Sequence, residues 1–136
     1  MSQRRKKVLI VDLDESVLIT LERVLEDADC DTCTTWNVAE AVRLFTADGF
    51  DFVLIGDHPP ELDAVRILRE LVVRHPDCKC LVLESIVQES DFERLQPVGA
   101  SAVIPKRDIS QIVGRLCDHP GPRAVNLATN FQKLAG

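Results

Sequence analysis

The sequence predicts an α/β fold, a doubly wound parallel sheet in which five strands alternate with five helices. Three observations carry that reading. Short apolar runs, among them Val8-Leu9-Ile10-Val11, Phe52-Val53-Leu54-Ile55 and Ala102-Val103-Ile104, are separated by amphipathic stretches of helical period. The Phe52 run is apolar throughout, as a strand covered on both faces must be. Each run also ends on residues that suit a pocket: Asp12, Gly56-Asp57 and Pro105-Lys106. Strict strand–helix alternation demands right-handed crossovers and hence a parallel sheet. At 136 residues and 46% hydrophobic, the chain has material for one core.

The elements follow in order. After the first strand, residues 16–27 place Val17, Leu18, Leu21, Val24, Leu25 and Ala28 on one helical face. Asp14 and Glu15 stand at the start of that helix, where negative charge favours the dipole. Residues 32–35 read as a weak second strand. Asn37 with Glu40 makes a capping-box-like start to a second helix, whose buried stripe is Val38, Ala41, Val42 and Phe45, up to Asp48-Gly49. The third strand is residues 52–55. Asp63 caps a third helix running to His75, with Val65, Leu68, Leu71 and Val72 inward, and Pro76 ends it. Residues 80–83 form the fourth strand. A capping box from Ser90 to Glu93 opens a fourth helix, which Pro97 keeps short. The fifth strand is residues 102–104, and Asp108 with Gln111 starts a last helix carrying Ile109, Ile112, Val113 and Leu116. Residues 1–118 form the domain; 119–136, beginning His119-Pro120-Gly121-Pro122, form a tail or linker.

Charge excludes some functions. The net charge of −6 argues against a nucleic-acid partner, because phosphates repel such a surface. The one basic cluster, Arg4-Arg5-Lys6-Lys7, precedes the first strand and reads as a solvated lead. No apolar run approaches the roughly 20 residues that span a bilayer. The apolar stretch after the basic start carries Asp12, Asp14 and Glu15, unlike a signal peptide, so no membrane partner is expected and the location is cytoplasmic.

Together these strand ends and their helices resemble a response-regulator receiver domain, the phosphoacceptor module of two-component (phosphorelay) signalling, over about residues 6–118. The resemblance implies a CheY-like, flavodoxin-like (βα)5 sheet of strand order 2-1-3-4-5, with its crevice at the carboxyl ends of the strands. In that family two adjacent acids after the first strand hold magnesium and an aspartate after the third takes the phosphoryl group. A threonine or serine follows the fourth strand, and a lysine follows the fifth and contacts phosphoryl oxygen. By position, Asp12 matches the first acid and Lys106 the lysine. Leu13 stands at the second acid, Gly56 at the acceptor, with Pro60, Leu62 and Asp63 setting the register, and Glu84 at the hydroxyl. Val103 replaces the aromatic partner of the hydroxyl residue, and the usual Lys-Pro pair becomes Pro105-Lys106-Arg107.

The resemblance therefore implies a degenerate site, a pseudo-receiver: a signalling module that takes no phosphate at the usual position and works by contact with a histidine kinase or an output domain. A second copy of the chain is a further candidate partner. No catalytic residue, cofactor or metal is expected, and Asp12 reads as the partner of Lys106. One alternative is a working receiver with Asp57 as surrogate acceptor and Asp12 and Asp57 as magnesium ligands. Against it, successive side chains alternate across a strand, so a shift of one residue sends a group to the other face. His58, before Pro59-Pro60, reads as a loop residue without a ligand. For Glu84 two readings stand: it turns into the space vacated at Gly56 and holds Lys106, or it points to solvent and Asp12 alone serves.

The five cysteines include Cys30-Asp31-Thr32-Cys33 and Cys78-Lys79-Cys80. A shared zinc site needs four sulfurs at about 2.3 Å, yet the second and fourth strands stand three places apart, about 14 Å. Ordinary reduced cysteines are expected, with Cys117 packing in its helix. A thiol-based sensor through Cys30 and Cys33 is a third functional reading. In the tail, Val125, Leu127, Ala128, Phe131 and Leu134 recur at helical spacing, and either a frayed linker or a docked helix fits them.

Overall fold

The structure, a computed structural model, describes residues 5–117. Strands β1 (Lys6–Val11), β2 (Cys30–Thr35), β3 (Phe52–Gly56), β4 (Lys79–Glu84) and β5 (Ala100–Pro105) alternate with helices α1 (Glu15–Asp27), α2 (Val38–Ala47), α3 (Ala64–Arg74), α4 (Glu89–Leu95) and α5 (Ile109–Leu116). The sheet is parallel in the order β2-β1-β3-β4-β5, the predicted flavodoxin-like arrangement. No helix among the described residues is long and apolar enough to cross a membrane.

Strand alternation divides the interior in two. Val8, Ile10, Phe52, Leu54, Leu81 and Leu83 face α1 and α5, where Leu18, Leu21, Leu25, Ile112 and Leu116 close one core. Leu9, Val11, Val53, Ile55, Cys80 and Val82 face the other side, against Phe45 of α2, Ile67, Leu68 and Leu71 of α3, and Leu95 of α4. Four helices start where expected: the side chains of Asp14, Asn37, Asp63 and Asp108 accept hydrogen bonds from the backbone N–H of Ser16, Glu40, Val65 and Gln111.

Several expectations are corrected. The buried stripe of α3 is Ala64, Ile67, Leu68 and Leu71, a complete i, i+3, i+4, i+7 set. Val72 falls just outside it and is 43% exposed. The capping box of α4 is built two residues earlier, from Gln88 and Asp91. As expected, α4 is short: it ends at Leu95, and Pro97 lies in the 3-10 turn Gln96–Val98. Gly99 then leads into β5 with φ of +126°, a backbone state suited to glycine, and a Cβ there would lie 2.4 Å from Val72 Cγ2. Lys6 and Lys7 belong to β1 rather than to a solvated lead. Arg5 lies 3.8 Å from Asp29 and 3.5 Å from Asp31.

The cysteines occupy opposite sides of the sheet. Cys30 lies in the α1/α5 core, whereas Cys33, three residues on, packs against the other. An odd separation along a strand points two side chains to opposite faces, so these two cannot join within β2. That corrects the reading of Cys30 and Cys33 as a sensing pair. The tail residues Val125, Leu127, Ala128, Phe131 and Leu134 lie outside the described residues.

Candidate functional site

In a parallel sheet all carboxyl ends open on one edge, and here they deliver Asp12, Gly56, Asp57, Glu84 and Lys106 to it. Val11 pairs with Thr35 and Ile55, Gly56 with Leu83, and Glu84 with Pro105, so the strand ends lie level across the sheet. Alternation decides which way each side chain then goes. Asp12, Gly56 and Lys106 continue the α1/α5 side, while Asp57 and Glu84 continue the side of α3 and α4.

The first group centres on Asp12, which is completely buried. Its backbone N–H donates to the Thr35 carbonyl at 3.1 Å, and its Oδ1 accepts from the Asp14 N–H at 2.8 Å. Lys106 Nζ lies 2.9 Å from Oδ2, an ion pair whose angles fall short of a hydrogen bond. The carboxylate stands over Gly56: a Cβ at that glycine would come within 1.9 Å of Oδ2 and 2.5 Å of Cγ. The Asp12 side chain therefore fills the space that any residue larger than glycine at position 56 would need. Leu13 turns away and is 39% exposed.

His58, in the loop between β3 and α3, joins this group through side-chain contacts that the sequence reading did not foresee. Its ring is set by paired backbone hydrogen bonds with Leu62, at 2.8 and 2.9 Å, and Leu62 is completely buried in the α2–α4 core. The loop through Pro59-Pro60 is thus closed at its base, and His58 Nε2 contacts Lys106 Nζ and lies 3.3 Å from Asp12 Oδ1. A lysine ammonium can only donate, so its contact with Nε2 uses the ring's lone pair.

The second group is on the other side. Asp57, only 8% exposed, accepts from the Ala64 N–H through Oδ1 at 3.0 Å, at the start of α3. Its Oδ2 lies 3.5 Å from a guanidinium nitrogen of Arg94 on α4. The same nitrogen is 3.8 Å from Glu84 Oε2 and 3.5 Å from Asp91 Oδ1. Burial, helped by the Asp57 carboxylate, which favours a proton on Glu84 both as acceptor and by its charge, pushes the Glu84 carboxyl up to about 8. Near neutral pH the Glu84 carboxyl therefore favours its protonated form. The expectation that Glu84 holds Lys106 is corrected. Among the described residues its charged partner is Arg94, and it meets Lys106 through the backbone, the Lys106 N–H donating to the Glu84 carbonyl at 2.9 Å. The alternative that Glu84 points to solvent fails as well.

Sequence reasoning missed two participants, His58 and Arg94. The closing of a loop by Leu62 and the reach of a long side chain from α4 are tertiary events, though Arg94 carried one local signal, its place three residues after Asp91.

The chain matches the response regulator receiver domain over residues 8–116. It belongs to that family. Receivers of this kind are signalling modules that meet kinases and output domains. The same fold is found in a response regulator of Burkholderia pseudomallei with a phosphorylated aspartic acid, calcium ion and citrate, at 23% identity and a TM-score of 0.77, covering 92% of this chain and 72% of that one. Chemotaxis protein CheY4 of Vibrio cholerae gives 19% identity and a TM-score of 0.77 over 83% and 97% of the two chains. An orphan response regulator of H. pylori gives 19% identity and a TM-score of 0.73 over 83% and 96%. These likenesses concern the fold. No curated protein matches the sequence.

Proposed function

We propose that this receiver is a pseudo-receiver: it takes no phosphoryl group at the usual position and signals by protein contact from a pocket already closed on itself. The observation that carries this is the Asp12 carboxylate over Gly56, held by Lys106. In a phosphorylated receiver the lysine would contact phosphoryl oxygen; here a resident carboxylate supplies the negative charge.

The donor set supports the same reading. Magnesium requires near-octahedral oxygen ligation at about 2.0 to 2.1 Å. Both Asp12 oxygens face hydrogen-bond donors or cations, position 13 is leucine, and Asp57 is engaged with α3 and Arg94 on the other side of the sheet. The residues present do not fit the ion.

On this reading the contacts are made with a histidine kinase, an output domain or a second copy, in the cytoplasm, by a domain of residues 1–118 with 119–136 as its linker. Acetyl phosphate with magnesium, followed by intact mass, tests the proposal: the mass should not change. A phosphoryl adduct that disappears in Asp57→Asn overturns it in favour of the surrogate acceptor.

A further inference from the structure

We propose that two copies of this chain associate through the outer faces of α3 and α4, the α3 of each lying on the α4 of the other. The inference rests on the reading above that the module works by protein contact, and it chooses one of the partners named there. The two helices lie side by side over the sheet face that carries Leu9, Val53 and Val82. Asp57 joins them on the pocket side, accepting from the Ala64 N–H of α3 and lying 3.5 Å from Arg94 of α4. Further along, Val72 of α3 lies against Gly99, just past the turn that follows α4.

The burial of α3 leaves one face open. Ala64, Ile67, Leu68 and Leu71 turn to the core, so Arg66, Arg69 and Val73 point outward. Val73 is 83% exposed, the highest value for a large hydrophobic side chain among the described residues. On α4 Leu95 is buried, while Glu89 and Glu93, four residues apart on one face, are exposed. Other charges on these helices are taken: Arg74 lies 3.4 Å from Glu70, and Arg94 lies 3.5 Å from Asp91. Among the described residues Arg66, Arg69, Glu89 and Glu93 have no ion pair. That leaves two cations on α3 and two anions on α4.

Within one chain these groups point outward side by side and do not face each other. A two-fold axis parallel to the helices, set between them, turns a second copy over so that its α4 covers α3 and its α3 covers α4. Such an axis preserves height, and both helices start at the carboxyl edge of the sheet, after β3 and β4. Arg66 and Arg69 stand about 3 and 7.5 Å along α3 at 1.5 Å per residue; Glu89 opens α4 and Glu93 stands about 6 Å along it. The arginines of each copy therefore come level with the partner's Glu89 and the partner's Glu93. Val73 comes level with the partner's Gln96–Val98 turn, where Pro97 is exposed. The contact is isologous, so each charge pair forms twice. A surface of both signs in this order suits a second copy better than a partner of one sign, and its attraction weakens with salt.

Sedimentation of the full chain across a dilution series reads the association. The unsubstituted protein should show a monomer–dimer equilibrium that shifts toward monomer as salt rises. Arg66→Glu with Arg69→Glu sets acids against acids, and Glu89→Lys with Glu93→Lys sets cations against cations; each double variant alone should dimerise at least roughly tenfold more weakly. An equimolar mixture of the two should recover the dimer, because every reversed charge then meets its opposite. A chain carrying all four substitutions should recover it as well. Monomer at millimolar concentration overturns the proposal, as does a dimer that either double variant leaves intact or that the mixture fails to restore. Val73→Asp, on the same face but outside the charge pairs, keeps the test open should a double variant fail to fold: it too should dissociate the dimer, and an unchanged dimer overturns the proposed face. None of these substitutions touches the pocket. A phosphoryl adduct would therefore overturn the pocket reading and leave this surface standing, and a monomer would do the reverse.

Discussion

Among the described residues, Lys106 is the one lysine or arginine paired with Asp12. Removing one member of a buried pair leaves the other charged and desolvated, at a cost of about 3–5 kcal/mol. Lys106→Met should therefore lower the urea stability by about that amount, and adding Asp12→Asn should recover much of it, since the stranded charge goes with it. Two single changes that simply add would disprove the coupling. Gly56→Ala makes a related test. Its methyl group displaces the Asp12 carboxylate from Lys106, so a loss of about 1–3 kcal/mol is expected, the usual range for overpacking. In an Asp12→Ala background the same substitution should be nearly neutral.

At the scale of elements, Glu84 and Arg94 tie the end of β4 to α4, and the tie depends on pH. The Glu84 carboxyl stands near 8 when folded, against an ordinary 4.5. Between those values the folded state binds more protons than the unfolded one, so stability falls as pH rises from about 4.5 to about 8 and levels off above. Urea midpoints across that range should fall in the unsubstituted protein and fall less in Glu84→Gln, which mimics the protonated acid. An identical slope in both would place the titration elsewhere. Gly99 governs the next connection: with φ of +126° and Val72 against it, Gly99→Ala should destabilise the turn into β5 and expose α3 and α4 to faster amide exchange.

Across the whole molecule, the two cores share one sheet and should melt as one. Leu21→Ala beneath α1 and Leu68→Ala beneath α3 should each cost about 2–5 kcal/mol in a single cooperative transition. Circular dichroism suits the measurement, because Trp36 is 68% exposed and its fluorescence will change little on unfolding. Periodicity explains why so much of this architecture was legible in the sequence. Continuous apolar runs and stripes of period 3.6 record burial directly, as Val53 and Leu68 do. The misread positions, Val72 and the start of α4, are those where local pattern competes with packing or offers two caps. At the site, Asp12 and Lys106 were legible because strand ends announce themselves. The company they keep was not. Nothing near His58 in the sequence tells that Leu62 will close its loop, and the partner of Glu84 was settled by which sheet face it shares with Arg94.

The carboxylate lying over Gly56 also makes a second acid in this pocket hard to accommodate. An aspartate introduced at position 56 meets Asp12 in its own space and leaves two buried acids competing for one lysine. That substitution therefore loses stability on its own account. A second acid is tolerated only if Asp12 moves or goes with the same change, so the geometry works as a lock against any single added carboxylate at that position.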